Sequence, residues 1–168
     1  TQSRSSAASD VYKRQVRTVK RIAVVGAGPA GLAAATVAAE RGHAVTLFDA
    51  ASEIGGQFNV AKRVPGKEEF FETLRYFRNK VKSTGVDLRL NTRVDVQALV
   101  GGGFDEIILA TGIAPRTPAI AGVEHAKVLS YLDVLLERKP VGKSVAVIGA
   151  GGIGCLLYTS PSPRDQRG

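Results

Sequence analysis

Three glycines and one acid in this chain have the types and the spacing to hold a phosphorylated nucleotide. Gly26, Gly28 and Gly31 stand in G-x-G-x-x-G order, and Asp49 follows about 20 residues past them, the separation this chemistry uses. Each glycine answers a different mechanical need. Gly26 permits a tight turn, Gly28 lets main chain approach a pyrophosphate, and Gly31 lets a helix pack closely on a strand. Pro29 suits the first helical position, where a missing N–H leaves nothing unpaired. Beside it, Ala30 and Gly31 offer free N–H groups at the positive end of the helix dipole. An acid at the end of the next strand can accept hydrogen bonds from a ribose.

These residues work only if particular elements hold them. Arg21–Val25 is short, apolar and β-branched, which fits a buried parallel strand. An Ala- and Leu-rich helix should run from the glycines to Arg41, with Gly42 as its stop. A second strand, Ala44–Phe48, then delivers Asp49, which is expected to end a strand without belonging to the core.

Residues 50–66 read as a long loop holding Glu53, the Gly55-Gly56-Gln57 triplet and the basic pair Lys62-Arg63; loops of this length in α/β units are usually functional, and cofactor contact is expected here. Residues 67–84 form an amphipathic helix. Its core stripe is Phe70, Leu74, Phe77 and Val81, with acids in its first turns, bases in its last and Gly85 as its stop. Residues 86–90 read as a strand, 91–94 as a turn into an extended piece, and 106–110 as a buried strand ending at Thr111-Gly112. A small residue and a glycine there lie where open α/β sheets bind ligands. Residues 114–122 read as an extended linker, and Ser130 caps a short helix with Asp133 as its box partner. Residues 144–148 read as another buried strand. They run into Gly149, Gly151 and Gly154, a second G-x-G-x-x-G.

Both ends have a different character. Residues 10–15, DVYKRQ, can be encoded as gat gtg tat aag aga cag. The reverse complement of that DNA, read from its second base, encodes Cys155-Leu156-Leu157-Tyr158-Thr159 and begins Ser160. Inverted copies of one DNA segment at two peptide ends are the mark of transposase adapters in sequencing libraries. Residues 1–15 and 155–168 are therefore expected to be foreign, disordered tails without core contacts. The whole chain carries 23 Lys+Arg against 15 Asp+Glu, a net charge of +8; five of those bases and two of those acids lie in the tails, leaving 18 against 13, or +5. The bases are scattered and not interleaved with aromatics, which argues against nucleic-acid binding. The sole cysteine, Cys155, falls in a tail, so the rest can carry neither a disulfide nor a thiolate metal site. No apolar run approaches the roughly 18 residues that cross a membrane, and cytoplasm is the default compartment.

Two nucleotide fingerprints in one chain, each after a β-branched strand, argue for a flavoprotein passing electrons between a nicotinamide nucleotide and a flavin. The fold class is α/β: a Rossmann-like parallel sheet with flanking helices, residues 16–142 forming the FAD-binding unit and 143–154 the start of an NAD(P)H-binding unit. Without the helix that would cover it, the strand at 144–148 should leave Val145, Val147 and Ile148 partly exposed.

Several stretches resemble the nucleotide-binding region of bacterial NADPH 2,4-dienoyl-CoA reductases, relatives of trimethylamine dehydrogenase and old yellow enzyme. They are VVGAGPAGLAAA at 24–35, FDAASEIGGQFNVAKRVPGKEEFFETLRYFR at 48–78, ILATGIAPRTPAIAGV at 108–123 and VLSYLDVL at 128–135. The resemblance implies a larger parent with an N-terminal (β/α)8 barrel in cis, holding FMN, a 4Fe-4S cluster and the active site. Hydride would pass from NADPH to FAD, and single electrons through the cluster to FMN. No catalytic residue is expected within this chain. The resemblance also implies site roles. The FAD pyrophosphate lies on Gly26, Gly28, Pro29, Ala30 and Gly31, and the adenosine ribose meets Asp49. Gly56 and Gln57 line the flavin side, Val94 faces the adenine, and Thr111 and Gly112 close on the cofactor. NADP belongs to Gly149, Gly151 and Gly154. Asp49 departs from the Glu often found in such flavoproteins, yet still reaches a ribose hydroxyl.

Two other protein classes compete with this resemblance. Disulfide oxidoreductases share the two fingerprints but need a dithiol, and this chain has Gln57-Phe58-Asn59 where one branch carries its pair. A non-catalytic ADP-holding module, as in trimethylamine dehydrogenase, is the other. One expectation concerns the ends directly. Source DNA amplified across Val16 and Gly154 should depart from SDVYKRQ upstream and from CLLYTS downstream, and recovering either continuation would restore the tails to the protein.

Overall fold

The computed structural model describes residues 18–149. The expected tails, and the glycines Gly151 and Gly154, lie outside the described residues.

Four parallel strands form one sheet in the order β3-β2-β1-β4. They are β1 (Arg21–Val25), β2 (Ala44–Phe48), β3 (Asp87–Arg89) and β4 (Glu106–Leu109). The chain steps outward from β1 to β2 to β3, then returns to the other side of β1. That reversal leaves a crevice beyond the carboxyl ends of β1 and β4, where open α/β sheets take ligands.

The sheet is covered on both faces beside β1, so β1 is apolar at successive positions and does not alternate. Ile22 and Val24 face one way, into a cluster with Leu32, Ala35, Val45, Leu47 and Val81. Ala23 faces the other way, with Phe48 and Leu99, and Val94 and Phe104 pack on that cluster. Helix α1 (Pro29–Glu40) supplies Leu32 and Ala35, and its small alanines let it lie close on the sheet. Its C-terminus closes through Gly42 at φ +98°, the left-handed position that ends many helices. Helix α3 (Glu69–Thr84) packs beside α1 and ends at Gly85, φ +74°. Its stripe is core as the spacing requires: Leu74 and Val81 are buried, Phe77 packs on the main cluster, and Phe70 stacks on Phe58 at 4.7 Å. Lys80 of α3 reaches Glu40 of α1 at 2.6 Å.

Several local expectations change. The loop at 50–66 contains a turn of helix, α2 (Phe58–Ala61), and the extended piece after residue 94 is instead α4 (Val96–Gly101), capped by Asp95 accepting from the Ala98 N–H. The long helix begins at Glu69, not at residue 67. The short helix expected after Ser130 is α5 (Tyr131–Leu135), with both hydrogen bonds of its capping box present.

Two stretches read as strands depart from that reading, β4 in its burial and residues 144–148 in forming no strand, while the exposure expected of Val145, Val147 and Ile148 is present. β4 is a sheet edge among the described residues: Ile107 is 40% and Leu109 71% exposed. With Val96, Leu99 and Val100 they line a shallow apolar hollow of about 310 Å³. Residues 144–148 are not a strand. They make no ladder with the described residues, and Val145, Val147 and Ile148 are 59, 64 and 74% exposed. A strand exists only against a partner, and apolar sequence alone does not supply one.

Leu74 and Phe71 of α3 differ in burial, one fully buried and one 53% exposed. Urea unfolding should therefore separate them. Leu74→Ala is expected to cost about 2–5 kcal/mol. Phe71→Ala, which loses only surface area and a cation–π contact with Lys62, should cost about 1 kcal/mol or less.

Candidate dinucleotide-binding site

The carboxyl ends of β1, β2 and β4 are stitched together by main chain. The Gly26 N–H donates to the Phe48 carbonyl at 2.7 Å, and the Ala110 N–H donates to the Val25 carbonyl at 2.8 Å. Between these bonds the chain turns from β1 into α1.

The three glycines of the turn are not equivalent. A Cβ on Gly31 would sit 1.7 Å from the Gly26 carbonyl oxygen. A Cβ on Gly26 would sit 2.2 Å from the Ala110 carbonyl oxygen, and Gly26 has φ +107° besides. The fold itself therefore demands both. Gly28 has φ −75° and ψ −177°, ordinary extended backbone, and a Cβ there would meet nothing within 4 Å. Nothing among the described residues requires a glycine at that point, and the space in front of it is open to a ligand.

That space faces hydrogen-bond donors. The N–H groups of Gly28, Ala30 and Gly31 have no acceptor among the described residues, Pro29 has none to offer, and no side chain caps α1 or places an acid in its first turn. An anion here would meet uncompensated amides and the positive end of a 12-residue helix.

Asp49 borders the same turn and has a second role. Its Oδ2 accepts from the Ala27 N–H at 2.5 Å and its Oδ1 from the Ala51 N–H at 2.8 Å. Its own N–H donates to the Arg89 carbonyl at 3.0 Å, and its carbonyl accepts from Thr92 at 2.8 Å. Asp49 follows the end of β2 outside the core, as expected, and its carboxylate also pins the glycine turn to β2. Each oxygen still has acceptor capacity for a ribose hydroxyl.

The second glycine pair forms a wall of this crevice. The Gly55 N–H donates to the Ala27 carbonyl at 2.8 Å, and a Cβ on Gly56 would come within 3.0 Å of the Gly28 α-carbon. Gly55 is itself a packing glycine, since its Cβ would strike Leu74 at 2.6 Å. Gln57 follows at the exposed start of α2. Thr111 brings its main chain against Gly26, and Gly112 follows at φ +78°; both are exposed. Val94 stands two residues past Thr92, with its side chain packed toward Phe48 and Leu99. Gly149 is exposed, with φ +112°, and no described contact ties it to this crevice.

The basic pair of the loop serves the protein and not the crevice. Lys62 Nζ donates to Asn59 Oδ1 at 2.7 Å, and Arg63 donates to the carbonyls of Leu135 and Leu136. Ala27 was the participant hidden from sequence reading; its side chain is buried, and its N–H and carbonyl hold Asp49 and Gly55. Among the described residues no cluster of three His, Cys, Asp or Glu could hold a metal, and no helix is long and apolar enough to cross a membrane.

Fold and crevice together define a dinucleotide-binding α/β domain. Residues 20–157 match the pyridine nucleotide-disulphide oxidoreductase family, and the chain belongs to it. It is an FAD/NAD(P)-binding oxidoreductase domain. It is similar to a cinnamate reductase of Clostridium sporogenes, 40% identical over 143 residues, covering 84% of this chain and 21% of that protein. Among solved structures it is similar to 2-naphthoyl-CoA reductase, with a TM-score of 0.73 and 32% identity over 78% of this chain and 20% of that one. It is also similar to the 6-hydroxypseudooxynicotine amine oxidase of Pseudomonas geniculata N1, with a TM-score of 0.68 and 30% identity over 74% of this chain and 20% of that one. The chain thus spans about a fifth of the length of the relatives it matches.

Thermal melts should sort the glycines by the space each one has. Gly28→Ala is expected to keep the wild-type melting temperature within a few degrees. Gly31→Ala should lose the cooperative transition, because main chain cannot yield 1.7 Å contacts. A Gly28→Ala protein that unfolds would make Gly28 a structural glycine.

Proposed function

We propose that this chain is the FAD- and NAD(P)-binding electron-transfer region of a larger flavoprotein reductase that acts on a conjugated double bond, a 2,4-dienoyl-CoA thioester being the substrate class. The observation that carries the reading is Gly28: a glycine with ordinary backbone angles that, among the described residues, has nothing in front of it and stands with three unpaired amides. A pyrophosphate fits that vacancy and those donors.

In this reading residues 16–142 hold FAD. The amides of Gly28, Ala30 and Gly31 take the pyrophosphate, and the spare acceptor capacity of Asp49 takes the ribose. Gly56 and Gln57 border the flavin side, Val94 lies toward the adenine, and Thr111 and Gly112 close the crevice. Gly149, Gly151 and Gly154 begin the nicotinamide-nucleotide unit, read here as taking NADP. Hydride acceptance and one-electron release are the chemistry a bound flavin supplies; the residues of this chain bind and orient it. The substrate site belongs to a barrel elsewhere in the parent, with FMN and an iron–sulfur cluster. Two similar proteins support the reaction class by their names: one reduces cinnamate and one 2-naphthoyl-CoA, both conjugated acyl compounds.

Titration calorimetry with FAD and with ADP tests this directly. Asp49→Asn keeps the side chain's shape but removes a charged acceptor. It should weaken both ligands about 10- to 150-fold, as expected for losing a charge-assisted bond of about 1.5–3 kcal/mol. Unchanged affinity would remove Asp49 from the site. Binding of ADP but not FAD, giving colourless protein, would favour a non-catalytic nucleotide module. The isolated chain should not oxidise NADPH with a dienoyl thioester; turnover by it would overturn the placement of the substrate site.

A further inference from the structure

Helix α5 is weakly held by apolar contact. None of its residues is buried, and it leads toward the second glycine fingerprint. Its polar groups close on one another. Ser130 and Asp133 form the capping box, Lys139 pairs with Asp133 and with Glu137, and the Lys139 N–H returns to the Asp133 carbonyl. The exception is its C-terminal end, where the carbonyls of Leu135 and Leu136 have no acceptor role inside the helix. Arg63 Nη1 donates to both, at 3.0 and 2.8 Å, across more than 70 residues of sequence. A guanidinium suits a helix C-terminus twice over, by hydrogen bonding and by charge against the dipole.

Arg63 is also one step from the nucleotide crevice. It directly follows Lys62, the C-cap of α2, and its N–H bonds the Val60 carbonyl. At its other end α2 begins from Gly55-Gly56, which touches Ala27 and Gly28. Asn59 stiffens the path, donating to the Ile54 carbonyl and accepting from Lys62.

We propose that Arg63 is a positioning residue that fastens the α5 segment, the approach to the second nucleotide unit, to the wall of the first nucleotide's crevice, so that filling the crevice firms up that segment. The fastening stands on the hydrogen bonds alone; its response to ligand rests on the nucleotide reading of the crevice.

Hydrogen exchange with mass spectrometry, on the whole chain with and without ADP, tests both halves. Without nucleotide, Arg63→Ala should speed exchange of the Leu136 and Glu137 amides about tenfold, while residues 21–49 stay unchanged. Arg63→Lys, which keeps the cation without the planar fork, should fall between. Equal exchange at 131–137 in wild type and Arg63→Ala would overturn the fastening. With ADP, wild type should gain protection at both the glycine turn and 131–137, and Arg63→Ala at the turn alone. Protection of the turn with no change at 131–137 in wild type would overturn the coupling. If ADP protects neither, the nucleotide reading and the coupling fall together, and the nucleotide-free comparison still judges the fastening.

Discussion

The structure depends on one close approach: the start of α1 lies over the end of β1 with the Gly31 α-carbon against the Gly26 carbonyl. Only glycine allows it, and the consequences spread outward. Because the helix starts that close, its unpaired amides open directly onto the carboxyl edge of the sheet. Because Gly26 is equally tight on Ala110, the end of β4 is drawn to the same point. A side chain at either glycine would push helix and sheet apart, and the donors would no longer converge.

Around that contact the protein spends its polar groups on holding the turn. Asp49 is the clearest case. A carboxylate that accepts two main-chain N–H groups fixes the loop before any ligand arrives, and preorganised donors cost less to use on binding. The shorter acid is informative. An Asp at this position reaches the Ala27 amide directly, so a single side chain both ends β2 and fixes the glycine turn. The Gly55 amide bonding the Ala27 carbonyl does the same from the opposite wall.

The family resemblance and the exposed surfaces agree about scale. The chain spans about a fifth of its relatives, and apolar residues on β4 and at 145, 147 and 148 are exposed. Its one cysteine lies beyond the described residues, so within them the family's disulphide chemistry has no thiol to work with.

The sequence by itself determined whatever is local. β1, β2, α3, the stops at Gly42 and Gly85 and the Ser130–Asp133 box were legible because spacing, propensity and capping act over a few residues. The glycine turn and the strand-end acid were legible for the same reason, since strand, turn, helix and strand follow one another at short, fixed intervals. Short α2 and α4 were not, since a helix of a turn or so carries little periodicity, although Asp95 ahead of Ala98 was a readable cap. Tertiary structure alone decided the rest. Whether 106–110 is buried or an edge, and whether 144–148 is a strand at all, depends on partners far away in sequence. That Gly31 is required by the fold while Gly28 faces open space is a question of what stands in front of each α-carbon. That Asp49 holds Ala27, and that Arg63 reaches past 70 residues to Leu135 and Leu136, are contacts no interval encodes. A side chain's partner is set by where the packed elements bring it, and that is known only once they have packed.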